Sequence, residues 1–142
     1  MSINDRTPLV QFVKFLMVGV MNTALTLIVI YLCKSVLGIN EYLSNLTGYV
    51  AGVVNSFLWN KNWVFKARSN AMRQAVTFLV GFGVCYLVQL AVVFLVTDCT
   101  PYGDMTWTIE GYTISGYGIA TILGMGVYTV ANFIYNRVVT FK

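Results

Sequence analysis

Two short segments carry the residues best suited to chemistry. One is Phe57-Leu-Trp-Asn-Lys-Asn-Trp-Val-Phe-Lys66, at the end of an apolar run. The other is Phe133-Ile-Tyr-Asn-Arg-Val-Val-Thr-Phe-Lys142. Offset by 76 positions, Phe57, Asn60, Phe65 and Lys66 meet identical residues at Phe133, Asn136, Phe141 and Lys142, and Lys61 meets Arg137. A lysine is a compact point charge and arginine a planar fork, and both suit phosphate oxygens. The amides of Asn60 and Asn136 could donate further hydrogen bonds to phosphate or to sugar hydroxyls. The plainer reading of such bases is anchoring at a membrane surface, their stems snorkelling to the headgroups. Lys66, Arg68, Arg73 and Lys142 fit that reading better, and Lys61 and Arg137 fit a ligand contact better. A second polar set, Asn22, Asn55 and Asn132 with Gln89, lies deeper within apolar runs. Amides in lipid are unfavourable unless they face protein or water. They either bond neighbouring helices or line a polar path for a headgroup.

What is missing narrows the chemistry further. There is no histidine, and no acid interrupts any long apolar run, so a carboxylate proton relay has no candidate. Cys33, Cys85 and Cys99 have no metal-ligand spacing, and a Cys33–Cys99 disulfide is only conceivable. No phosphate-binding Gly-Lys-Ser/Thr loop or dinucleotide fingerprint is present. We therefore expect no enzyme, no cofactor and no metal.

The elements that position these residues follow from composition. The 142 residues are 58% hydrophobic and only 10% charged. Soluble domains carry about 25% charged residues, so lipid is the expected solvent. Four segments qualify as spans, which need about 20 mostly apolar residues: Val10–Cys33, Leu43–Trp63, Ala75–Thr97 and Thr113–Tyr135. Thr7-Pro8 reads as a helix N-cap with proline at the first helical position, and the first run lacks a signal-peptide cleavage pattern. Gly48-x-x-x-Gly52 and Ala120-x-x-x-Gly124 have the small-residue spacing that lets helix backbones approach closely, within a protomer or between protomers.

Orientation comes from charge. Arg6, Lys14, Lys61, Lys66, Arg68, Arg73, Arg137 and Lys142 with the one acid Asp5 give +7 on one side; Lys34 with Glu41, Asp98, Asp104 and Glu110 gives −3 on the other. The positive-inside rule then places both termini in the cytoplasm, and charge in this arrangement argues against a nucleic-acid partner. The entries of the two halves also match, Gln11, Phe15 and Leu16 meeting Gln74, Phe78 and Leu79 at an offset of 63. The expected fold is thus an all-α membrane protein. Its four transmembrane helices form two parallel two-helix repeats, about 9–66 and 73–142, within one transmembrane domain. On that topology, Asn60-Lys61 and Asn136-Arg137 emerge on one membrane surface. Tyr102, Trp107 and Tyr112 in the second outer loop, 98–112, either stack on a sugar or form an interfacial belt.

Taken together, the motifs resemble those of GtrA-like membrane proteins. The resemblance rests on Phe15-Leu-Met-Val-Gly19-x-x-Asn22-Thr23, on Asn55-Ser-Phe57-x-x-Asn60-Lys61-x-Trp63-x-Phe65-Lys66, and on Asn132-Phe133-x-x-Asn136-Arg137-x-x-x-Phe141. It covers nearly everything from Gln11 onward, and the 98–112 loop is the least family-like part. It implies a bacterial inner-membrane protein that moves a polyprenyl-phosphate-linked sugar, such as undecaprenyl-phosphate glucose, to the outer leaflet for cell-surface polysaccharide synthesis. The resemblance also implies a glycosyltransferase partner. Lys61, Arg137, Asn60 and Asn136 would then hold the lipid phosphate, and Asn22, Asn55 and Asn132 would line the sugar's path. Four short spans enclose little volume, so a dimer or larger homo-oligomer is expected. The alternative is a non-transporting adaptor that recruits the glycosyltransferase. A small multidrug exporter would need an intramembrane acid, and a purely structural subunit is the blandest reading.

Overall fold

The computed structural model describes residues 7–142; Asp5 and Arg6, which enter the charge argument, lie outside the described residues. The elements in order are α1 (Pro8–Tyr31), α2 (Glu41–Trp59), α3 (Ala71–Asp98), strands β1 (Thr106–Ile109) and β2 (Tyr112–Ser115), and α4 (Gly116–Tyr135). Helices α1, α2 and α4 each run on into a wider π-helical turn, at Leu32–Val36, Asn60–Val64 and Asn136–Thr140.

The helix starts are set by short polar side chains. Asn40 Oδ1 accepts from the Tyr42 and Leu43 N–H groups (2.8 and 3.4 Å), and Asn70 Oδ1 from those of Met72 and Arg73 (2.9 and 3.3 Å). Ser115 Oγ accepts from Gly118 N–H (3.1 Å). Each cap satisfies donors that the first helical turn leaves open. Thr7 does occupy the cap position before Pro8, but its hydroxyl makes no capping bond; its carbonyl accepts from Gln11 N–H (3.0 Å).

Among the described residues, three helices are long and apolar enough to cross a membrane: Pro8–Val36, Ala71–Asp98 and Gly116–Thr140. The remaining helix, Glu41–Val64 with its terminal turn, is diluted by Ser44, Asn45, Thr47, Asn55, Ser56, Asn60, Lys61 and Asn62 and does not reach that apolarity.

The described chain divides into two compact units, one comprising residues 7–69 with Phe141, the other residues 70–140 with Lys142. In the first, α1 packs on α2; in the second, α3 packs on α4. Small residues make each contact possible. A Cβ on Gly48 would collide with Ile30 and approach the Thr26 carbonyl to 2.9 Å, and one on Gly52 would collide with the Thr26 hydroxyl. In the second unit a Cβ on Gly124 would meet Val93 and Gln89 at 3.0–3.3 Å, and Ala120 is fully buried. These small residues are thus used inside their own helix pairs and are not available to join protomers. Burial falls at equivalent positions in the two units. Gln11, Phe15 and Val18 of α1 correspond to Gln74, Phe78 and Gly81 of α3, and Ser44 and Gly48 of α2 to Ala120 and Gly124 of α4.

One expectation is corrected. The fold is not purely helical, because Thr106–Ser115 forms an antiparallel hairpin in register Thr106↔Ser115, Trp107↔Ile114, Thr108↔Thr113 and Ile109↔Tyr112. Glu110 and Gly111 both have positive φ (49° and 88°), the two-residue turn whose twist matches that of paired strands. The fourth long helix consequently starts at Gly116 rather than at Thr113.

Candidate functional site

The Asn60-Lys61 segment is placed by the way α2 ends. Phe65 N–H reaches the Asn60 carbonyl (2.9 Å) and Ala67 N–H the Lys61 carbonyl (2.9 Å), which carries Lys66 into the left-handed region at φ 50°. That conformation costs a residue with a Cβ roughly 1–2 kcal/mol. The reversal folds the chain back on itself, and Lys61, Asn62, Lys66, Ala67 and Arg68 line a shallow recess of about 260 Å³. Three basic residues therefore line it. Among the described residues neither Lys61 nor Arg68 is in an ion pair. Such a recess attracts an anion, and the Arg68 fork can grip two oxygens at once.

Aromatic rings frame this end of the unit. Lys61 Nζ lies 6.0 Å from the Phe57 ring centroid and Lys14 Nζ 5.3 Å from that of Trp63, distances at which a cation is attracted to a ring face. Trp63 meets Trp59 edge to face at 5.9 Å, and Phe141 stacks on Phe65 at 5.1 Å.

Asn60 itself faces inward and is almost fully buried. Its Nδ2 donates to the Ser56 carbonyl (2.8 Å) and lies 3.2 Å from the Ser56 hydroxyl. The second unit repeats the arrangement: buried Asn136 donates to the Asn132 carbonyl (2.9 Å) and to Asn132 Oδ1 (2.8 Å). In both residues Oδ1 is buried without a hydrogen-bond partner among the described residues. The amide donors are thus spent on the helix one turn back, and what remains is an acceptor. An acceptor suits a hydroxyl or water and cannot satisfy a phosphate oxygen. Arg137, one residue beyond Asn136, is half-buried and in no ion pair among the described residues.

The deeper amides separate into two sets. Asn55 Nδ2 donates to Asn22 Oδ1 (2.6 Å), bridging α2 to α1 in the first unit. Asn132 belongs to the second unit, where its Nδ2 lies 3.4 Å from the Tyr128 hydroxyl. Positions equivalent to Asn22 and Asn55 are Cys85 and Ala131, so no such bridge exists there. Cys33, Cys85 and Cys99 are all free thiols.

Sequence spacing alone does not bring Lys66, Arg68 and Asn62 to Lys61. Their gathering beside Lys61 depends on the left-handed Lys66, and a lysine, unlike a glycine or asparagine, gives no sign of that conformation. The one available signal is the apolar run stopping at Phe65 with bases on both sides.

Comparison with known proteins bears on the same elements. The family model described as "GtrA/DPMS, transmembrane domain" matches residues 14–141. A bactoprenol-linked glucose translocase of Shigella phage SfII is 38% identical over 71 residues, half of this chain and 58% of that protein. A prophage bactoprenol-linked glucose translocase homolog of Escherichia coli K12 is 37% identical over the same lengths. An uncharacterized membrane protein of Bacillus subtilis is 34% identical over 68 residues, 47% of this chain and 45% of the relative. The match thus spans little more than half the length of the translocases.

Proposed function

Because the chain belongs to the GtrA/DPMS transmembrane-domain family, we propose that it is a multi-pass translocase for a polyprenyl-phosphate-linked sugar of the undecaprenyl-phosphate-glucose type. The translocase names of its relatives support the class of cargo. The observation that carries the reading is the tri-cationic recess at Lys61, Lys66 and Arg68, framed by aromatic rings at the end of α2. On this reading the four long helices all span the inner membrane of a bacterium as two parallel repeats, with both termini in the cytoplasm.

Lys61, assisted by Lys66 and Arg68, neutralises the lipid phosphate at the inner surface, and Arg137 does the same at the end of the second repeat. A charge at the bilayer centre costs at least about 2.5–3.5 kcal/mol, so passage requires that it be matched. Asn60 and Asn136 offer acceptors to sugar hydroxyls or water rather than donors to phosphate. The Asn22–Asn55 bridge and Asn132 provide amides that a sugar can exchange with during its crossing. The prenyl chain stays in lipid, and no bond is made or broken. A homo-oligomer enlarges the path, and a glycosyltransferase loads the carrier on the inner side.

The test is leaflet exposure of a labelled polyprenyl-phosphate glucose in liposomes carrying the purified protein. Protein-dependent exposure that falls in Lys61→Gln is the expected result. Rates equal to those of protein-free vesicles, with a glycosyltransferase still captured by the protein, would make it an adaptor instead.

A further inference from the structure

The Thr106–Ser115 hairpin has two chemically different faces. Directly paired residues share a face, as do residues two apart on one strand. Trp107, Ile109, Tyr112 and Ile114 therefore lie together, while Thr106, Thr108, Thr113 and Ser115 lie together on the reverse. The first set is uncovered: Trp107 is 37% exposed, Ile109 61%, Tyr112 79% and Ile114 39%. Tyr102 precedes the hairpin and is not part of this face.

The hairpin is mounted firmly. Gly116 N–H donates to the Met105 carbonyl (2.7 Å) and Met105 N–H to the Tyr102 carbonyl (3.3 Å). A Cβ on Gly116 would run into the Tyr102 carbonyl, and one on Gly103 into the Thr97 backbone. An isolated two-stranded hairpin is marginal in water, yet this one presents four large apolar side chains to its surroundings.

What covers them is indicated by what adjoins them. Both α3 and α4 are long and apolar enough to cross a membrane. No charged residue lies between Arg73 and Asp98, or from Gly111 through β2 and α4 to Asn136. The 24 residues between Arg73 and Asp98 extend about 36 Å as helix, against a hydrocarbon core of about 30 Å. Asp98 therefore falls at headgroup level, and the hairpin starts there. Tryptophan and tyrosine are enriched at that depth.

We propose that the Thr106–Ser115 hairpin is an interfacial membrane anchor. Its Trp107–Ile109–Tyr112–Ile114 face rests on the acyl-chain boundary at that end of α3 and α4, and its hydroxyl face is turned to water and headgroups. Glu110, at the turn, stays in the headgroup layer. A saccharide platform fits less well, because the hydroxyls that would bond a sugar are on the opposite face from the aromatic rings.

The test uses the full chain with Cys33, Cys85 and Cys99 changed to alanine, in phosphatidylethanolamine–phosphatidylglycerol vesicles. A fluorophore is attached to single cysteines at 106–109 and 112–115. Positions 107, 109, 112 and 114 are expected to be quenched several-fold more by acyl-brominated lipid than by aqueous iodide, and positions 106, 108, 113 and 115 the reverse. A label-free check is brominated-lipid quenching of Trp107 in W59F/W63F protein, which leaves the hairpin intact. Equal iodide access on both faces would overturn the proposal. So would an apolar face shielded from both quenchers, which would mean that protein covers it, or one that becomes iodide-protected only on adding an oligosaccharide.

Discussion

The two helix pairs are built to one plan and differ in what fills it. Both open on a buried glutamine, Gln11 or Gln74, and both end their second helix on a buried asparagine whose amide turns back one helical turn. Both bring the two helices together over small residues. The first pair then joins its helices with the Asn22–Asn55 bridge and ends in the recess of Lys61, Lys66 and Arg68. The second has Cys85 and Ala131 at the bridge positions, Arg137 after its asparagine, and a β-hairpin between its helices. Equivalent packing positions hold the architecture, and the unmatched polar positions are where the halves differ in chemistry.

That contrast can be broken most forcefully at the packing positions. Gly48→Leu places a branched side chain against Ile30 and the Thr26 carbonyl, and should destabilise the first pair by about 3 kcal/mol, the upper end of overpacking costs. Gly126→Ala, which meets nothing within 4 Å, should leave thermal unfolding in detergent unchanged or slightly raised, since alanine favours the helix. Similar losses for both would show that the close approach is not what holds α1 to α2.

The next effect concerns the bases. Lys61→Gln should weaken binding of a polyprenyl phosphate about tenfold or more, since a charged hydrogen bond contributes roughly 1.5–3 kcal/mol. Lys61→Arg should retain most of it, and both variants should unfold at the wild-type temperature. A smaller loss is expected for Arg137→Gln, whose sequence neighbours Asn136 and Val138 are uncharged. Equal losses would remove the functional asymmetry between the two ends.

Lys66 separates stability from binding. Lys66→Gly relieves a left-handed residue and should stabilise the protein by about 1 kcal/mol, offset in part by the flexibility glycine adds to the unfolded chain. The same change deletes a recess cation, so lipid-phosphate affinity should drop while the unfolding temperature rises. A parallel fall in both would show that Lys66 holds the α2 terminus together.

The smallest effect belongs to the amide bridge. A double-mutant cycle on Asn22→Ala and Asn55→Ala should give a coupling near 0.6 kcal/mol, typical of interhelical hydrogen bonds in membranes. Asn22→Cys, which copies the second half, should lose the same coupling. Zero coupling would leave the two amides free for a ligand alone.

The family, the helical class and the base-rich ends were legible without coordinates. Lipid solvation selects long charge-free helices, and the order Asn-base-x-x-x-Phe survives in both segments. The β-hairpin was not legible, because Glu110-Gly111 is a weaker turn signal than asparagine-glycine and the strands adjoin an apolar run that reads as helix. The inward turn of Asn60 and Asn136 was equally hidden, since an asparagine at a helix end reads as a donor to ligands until its burial is known.

By itself the sequence determined the membrane class, the Asn-base motifs and the matching of the two halves, because these depend on composition and on the order of residues. Tertiary structure decided which amides meet across helices, Asn22 with Asn55. It also decided that Lys66 and Arg68 join Lys61, because one left-handed residue reverses the chain at the end of α2. Backbone dihedrals and side-chain direction set those encounters, and neither is written in residue type.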